Sequence, residues 1–239
     1  MKYIFPISIL LMVLFSACNK DDDAEKKDKK SNFSEPEEYI ENPSVTSAIN
    51  ESGISINEGD NPPPLAGTYL TDGEVIDASY IVNSIIGLLI NSEIKLYNQT
   101  ASGKIDFQEK VGGLTAWGSG GYITGDNGKF TIWQESKQSG IEAGLPNDIT
   151  INVALIMSGT KLSNGDLTAK GISIITEVST TNSEYDYESI EGIWWMWEAD
   201  FDLQAANNKS AQIKPGNQQI GETIQKVLQE IITKNSSLQ

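Results

Sequence analysis

Histidine is missing from this chain of 239 residues. Its absence excludes Ser-His-Asp and Cys-His catalysis, the usual zinc sites and haem ligation by histidine. It also removes the side chain best suited to proton transfer near neutral pH, so an enzyme here would depend on carboxylates, lysine or tyrosine. Cysteine occurs once, at Cys18, which leaves no pair for a disulfide and makes an apolar core the source of stability. Positive charge is also short, with 17 Lys and Arg against 33 Asp and Glu and a formal net charge of -16. That balance argues against nucleic-acid partners, because phosphate binding needs a basic footprint. It equally disfavours docking on anionic lipid through a polybasic patch. No long apolar run compensates: Ile4 to Phe15 is apolar apart from Ser8, shorter than the roughly 20 residues of a spanning helix.

What that run can be is an export signal. Lys2 gives a positive start, the apolar stretch follows, and the small residues Ser16 and Ala17 precede Cys18. Leu14-Phe15-Ser16-Ala17-Cys18 resembles the lipobox of bacterial lipoproteins, with Phe15 where that family more often has leucine. The resemblance implies cleavage before Cys18 and acylation of its thiol and new amino terminus. Several acyl chains anchor stably where one does not. Lys20-Asp21-Asp22-Asp23 then resembles the acidic export tag of Bacteroidota-type surface lipoproteins, which implies the outer face of the outer membrane. A solvated linker is the plainer reading of such a charge run.

Four segments follow. Residues 1–17 read as the signal peptide, 18–61 as a lipidated and mostly disordered acidic tether, 62–203 as a β-barrel-like domain, and 204–239 as a linker with a C-terminal helix. Asn19 to Asp60 is polar and charged, with Ser44 to Ile56 supplying scattered apolar residues and at most a local turn or strand. About 40 flexible residues would span roughly 35 Å. Pro62-Pro63-Pro64 marks the boundary. Gly67 to Thr71 then begins a strand, with a turn expected at Asp72-Gly73. Ser79 to Ile90 suits a short helix or turn leading into a strand.

After that the apolar period is two. Ile94 and Leu96 share a face, as do Ile105 and Phe107 beyond a turn at Ser102-Gly103. Asp126-Asn127-Gly128 between β-rich runs predicts a hairpin, and Asn164-Gly165-Asp166 a second turn of this chemistry. In the last strand Ile193, Trp195, Trp197, Ala199, Phe201 and Leu203 form one face. The opposite face begins with Trp194 and Met196 and ends with Glu198, Asp200 and Asp202, which predicts one covered end and one wet end. Ile220, Ile224, Val227, Leu228, Ile231 and Ile232 recur at helical spacing and predict an amphipathic C-terminal helix. The fold class expected is therefore all-β, an antiparallel barrel or sandwich of about eight to nine strands with that helix. Pro64-x-x-Gly67-x-Tyr69, Tyr97-Asn98-Gln99 and Tyr122-Ile123-x-Gly125-x-x-x-Lys129-Phe130-Thr131 resemble uncharacterised Bacteroidota lipoproteins. Gly67-x-Tyr69 near a barrel start, with a helix after the last strand, is also faintly lipocalin-like, although lipocalins carry tryptophan where Tyr69 stands.

The function expected is a non-catalytic binding or accessory domain on the outer-membrane surface, with no cofactor and no metal. Its partners would be the membrane through the Cys18 lipid, a glycan or small apolar ligand, or an outer-membrane protein. Trp117, Trp133 and Trp194 are the candidate ligand-binding residues, since aromatic faces stack on sugars or line apolar pockets. Trp195 and Trp197 read as core, and Trp194 or Trp117 as exposed. Two alternatives stand. One is a carboxylate-based glycoside hydrolase drawing on Glu184, Asp186, Glu188, Glu191, Glu198, Asp200 and Asp202, which needs two opposed carboxylates across a cleft. The other is a structural subunit docked through the C-terminal helix. A calcium site at Asp126 and Asn127 is better explained by the hairpin, and Gly112-Gly113 and Gly118 to Gly121 lack the Gly-Lys-Ser/Thr of a nucleotide loop.

Overall fold

The computed structural model describes residues 36–79, 85–90, 92–111, 114–139, 149–180 and 190–203. Among the described residues two helices, α1 (Pro36–Glu41) and α2 (Pro43–Ser52), precede nine strands. These are β1 (Gly67–Ala78), β2 (Leu89–Ile90), β3 (Glu93–Tyr97), β4 (Lys104–Val111), β5 (Leu114–Thr124), β6 (Lys129–Ser139), β7 (Ile149–Lys161), β8 (Leu167–Thr180) and β9 (Trp194–Leu203). Strand β1 and strands β3 to β9 pair antiparallel in sequence order, and β9 returns to β1 from Tyr69↔Leu203 to Ala78↔Trp195. The result is a closed eight-stranded antiparallel barrel, with β2 a short addition beside β1. Closure decides between the expected barrel and sandwich, and it leaves the barrel without an open edge. The predicted C-terminal helix and the 1–17 signal lie outside the described residues.

Local chemistry fixes the turns. At Asp126-Asn127-Gly128 the Lys129 N–H donates to the Asp126 carbonyl at 2.9 Å, with φ of +53° at Asn127 and +81° at Gly128. Positive φ at both central positions is the requirement of the tightest hairpin turn, which is why Asn-Gly stands there. The predicted turns at Ser102-Gly103 and Asn164-Gly165-Asp166 are also present, with Gly103 and Gly165 at positive φ. Asp72-Gly73 is different: β1 runs through it without turning. Glycine is needed there for closure, because a Cβ on Gly73 would lie 2.3 Å from the Glu198 carbonyl oxygen and 2.5 Å from the Ala199 Cβ.

The interior is filled from alternate positions. Ile94, Leu96, Ile105, Phe107, Phe130, Ile132, Met157, Trp195, Trp197 and Phe201 belong to one buried cluster inside the barrel. A second cluster lies on the outer wall, where Tyr39, Val45, Ala48 and Ile54 cover Tyr122, Trp133, Ala154, Ile156, Ile172, Ile174, Trp194 and Met196. Both faces of the wall are therefore buried along much of β7 and β8. The helices that do this replace the last part of the expected disordered tether. Asn42 caps α2, accepting from the Ser44 and Val45 N–H groups at 3.0 and 3.2 Å, with Pro43 in the first turn and Gly53 closing the helix at φ +65°. Tyr39, Val45 and Ala48 then form an apolar face too sparse to register as core in the sequence, yet matched to an apolar wall.

The chain from α2 to β1 is tied down as well. The Asn57 side-chain amide donates to the Phe130 carbonyl at 2.9 Å and to the Ser158 hydroxyl at 2.8 Å, while its backbone N–H reaches Thr131 Oγ1 at 2.7 Å. Gln99 bridges the proline segment, accepting from the Leu65 N–H and donating to the Pro63 carbonyl. The folded unit thus begins by Pro36, ahead of the boundary expected at 62.

Candidate functional site

The barrel wall presents its odd polar residues to the inside. On β4, Ile105 and Phe107 are in the inner cluster, and strict alternation puts Glu109 on the same face. The same reasoning places Thr71 inward on β1 between Tyr69 and Val75, Gln134 on β6 after Phe130 and Ile132, and Ser173 on β8 after Leu167 and Ala169. Gln134 pairs with Leu155 and Leu155 with Ser173, so the two polar residues flank one leucine in a single row.

Their partners are few. The Thr71 and Ser92 hydroxyls lie 3.0 Å apart, and the Ser92 N–H donates to Thr71 Oγ1 at 2.7 Å. Thr71 Oγ1 in turn donates to the Ser92 carbonyl at 3.2 Å. The Glu109 carboxyl has the Ser92 hydroxyl beside it. Burial pushes this carboxyl up to about 7, against which the Ser92 hydrogen bond works in the opposite direction. Glu109 is deeply enclosed, yet part of its surface still borders accessible space. Gln134 donates through Nε2 to the Glu135 carbonyl, and its Oε1 has no hydrogen-bond partner although the residue is only 1% exposed. Ser173 Oγ is likewise unpartnered at 1% exposure. Gly121 makes room for the Gln134 amide: a Cβ there would sit 2.4 Å from Gln134 Oε1.

The tryptophans expected at a ligand site are distributed otherwise. Trp133 is buried on the outer wall, its ring centroid 5.8 Å from that of Tyr39 and its indole N–H directed to Thr124 Oγ1. Trp194, expected to be exposed, is 5% exposed, and its indole N–H donates to Glu51 Oε2 at 3.1 Å. The covering helices were the unseen partners, α1 through Tyr39 and α2 through Glu51. Trp117 sits on β5 opposite Gln108, its side chain outside what the structure describes. Trp195 and Trp197 are inner core, as expected. The divided face of β9 is also as expected, with Trp194 and Met196 covered and Glu198, Asp200 and Asp202 exposed.

A polar groove of about 390 Å³ lies outside the barrel, between Gly53 and Asn57 on one side and Lys129, Lys170, Glu198 and Asp200 on the other. Glu198 is paired with Lys170 at 3.3 Å, both exposed. Glu198 and Asp200 project from the same face of one strand, so they do not oppose each other across a cleft. Glu191 accepts from the Val178 N–H at 2.9 Å, and positions 184, 186 and 188 lie outside the described residues. Asp126 accepts from the Asn127 backbone and side chain within its hairpin. Cys18 and the Lys20 to Asp23 run lie outside the described residues too.

The inner-wall carboxyl was missed in the sequence although its signal was present: Glu109 continues the Ile105, Phe107 alternation by one step. The chain matches no family model, no curated protein and no solved structure.

Proposed function

We propose that this chain is a lipid-anchored, surface-exposed outer-membrane binding module without catalysis, whose ligand site is the barrel interior. The observation that carries the binding reading is the enclosed Glu109 carboxyl, with a lone hydroxyl for a partner among the described residues. A purely structural core gains nothing from such a group, since burying a carboxyl without full compensation costs several kcal/mol. A site for a ligand gains an oriented contact. An eight-stranded barrel has the width to hold side chains or one small ligand.

The anchoring half rests on Leu14 to Cys18 and on Lys20 to Asp23. Cys18→Ser should lose incorporation of a clickable fatty acid, and the precursor should stay uncleaved or become soluble. Replacing Asp21, Asp22 and Asp23 by Ala should keep the lipid but protect the protein from protease added to intact cells. Labelling that persists in the Cys18 variant would overturn the anchor, and equal digestion of wild type and triple variant would reduce the tag to a linker.

A further inference from the structure

We propose that the interior site selects a small amine-bearing ligand, its ammonium held by Glu109 and its body by the surrounding apolar wall. The inference rests on the interior-binding reading and adds the ligand's chemistry to it.

Thr71 and Ser92 exhaust most of their capacity on each other: Thr71 Oγ1 donates to the Ser92 carbonyl and accepts from the Ser92 N–H. The single proton of the Ser92 hydroxyl can serve Thr71 or Glu109 but not both. A carboxylate has about four acceptor positions, so Glu109 retains most of its own. Gln134 has directed one Nε2–H to the Glu135 carbonyl, which leaves its second N–H as a donor and Oε1 as an unmet acceptor. Ser173 Oγ can take either role. The acceptor sites of Glu109 and Gln134 Oε1 outnumber the remaining donors, so the occupant must bring donors.

Charge narrows the class. Three wall lysines are engaged away from the interior: Lys95 over the Tyr97 ring, Lys104 on Tyr122, and Lys170 on Glu198. Among the described residues no basic side chain reaches Glu109 from within the barrel. A ligand ammonium supplies the missing positive charge and up to three N–H donors in one compact group. Ile94, Ile105 and Phe107 share the inner face with Glu109, and Trp195 is paired with Ser173. The remainder of the ligand is thus apolar.

The test uses the full-length protein in detergent and three probes of equal chain length: hexylamine, hexanol and hexanoate. Binding is read by tryptophan fluorescence and by isothermal titration calorimetry. Hexylamine should bind at least tenfold more tightly than hexanol, and hexanoate should bind more weakly than either. Glu109→Gln, of nearly the same shape, should cost hexylamine at least tenfold while leaving hexanol within about twofold. Gln134→Leu should weaken hexylamine several-fold and serves as the second variant if Glu109→Gln folds poorly. Glu198→Gln, on the outer wall, should change nothing. Hexanol binding as well as hexylamine, or hexylamine binding undiminished in both Glu109→Gln and Gln134→Leu, would overturn the amine class and leave the interior site. No binding by any of the three would overturn the interior site itself.

Discussion

At the scale of the residue, Glu109 has the largest consequence. Its carboxyl is raised from 4.5 to about 7, chiefly by burial. Between those values the folded protein holds a proton there that the unfolded chain has already released. Stability attributable to this group is therefore greatest below the lower value, falls as pH rises through the window, and is flat above it. The full difference corresponds to about 3 kcal/mol, since a tenfold change in a proton-binding constant is worth about 1.4 kcal/mol. Glu109→Gln should raise the urea midpoint at pH 8 and leave it nearly unchanged at pH 4.5. An equal effect at both pH values would mean that the carboxyl is not protonated by the fold. Sequence alternation alone places Ile105 and Phe107 inside, and Glu109 follows from the same rule. It escapes notice in the sequence because acidic side chains at the end of a strand are usually solvated. Nothing short of barrel closure says that this one is enclosed.

At the scale of the element, the hairpins were legible and the helices were not. Asn-Gly and Gly-containing turns carry their own backbone requirement, so Asp126 to Gly128 identifies itself without tertiary context. Helix α2 has only ten residues, and a helix of that length is marginal alone. Its stability comes from packing in the outer cluster with Ile172 and Trp194, residues distant in sequence. The same coupling explains why Trp133 and Trp194 look available for a ligand in the sequence: their cover lies in the stretch that composition assigns to a tether. Asn42→Ala should destabilise the protein by about 1 kcal/mol through loss of the cap. Val45→Asp should be worse, because it sets an unpaired carboxylate into the outer cluster, where Val45 is fully buried. Chemical denaturation, together with a red shift of tryptophan emission as Trp133 and Trp194 meet water, checks both. If Val45→Asp left both the emission and the denaturation midpoint unchanged, the helices would not be covering this wall.

At the scale of the whole molecule, closure is the property that no local stretch announces. Alternating strands and turn residues predict an antiparallel sheet, but barrel and sandwich share that pattern, and only the β1–β9 pairing separates them. The residues that permit it are small ones: Gly73 opposes Ala199, and Ala199 opposes Ala169, which opposes Gly159. In the sequence Asp72-Gly73 reads as a turn because glycine's usual role is conformational, whereas here it is steric. Gly73→Ala would drive a methyl group to 2.3 Å from the Glu198 carbonyl oxygen and 2.5 Å from the Ala199 Cβ. Both obstacles are on β9 and neither is the free end of a flexible side chain, so the two strands must part. Overpacking of this kind costs about 1 to 3 kcal/mol. Parting would also expose two strand edges, each a template for pairing with another molecule. Gly73→Ala should therefore lower the urea midpoint and self-associate more than wild type at micromolar concentration in sedimentation velocity. Gly53→Ala is the matched control, since Gly53 needs its positive φ but has open space around its Cβ position. It should lose a similar amount of stability without associating. A Gly73 variant as stable and as monomeric as wild type would show that β1 and β9 tolerate separation, and that the barrel is not held shut at this point.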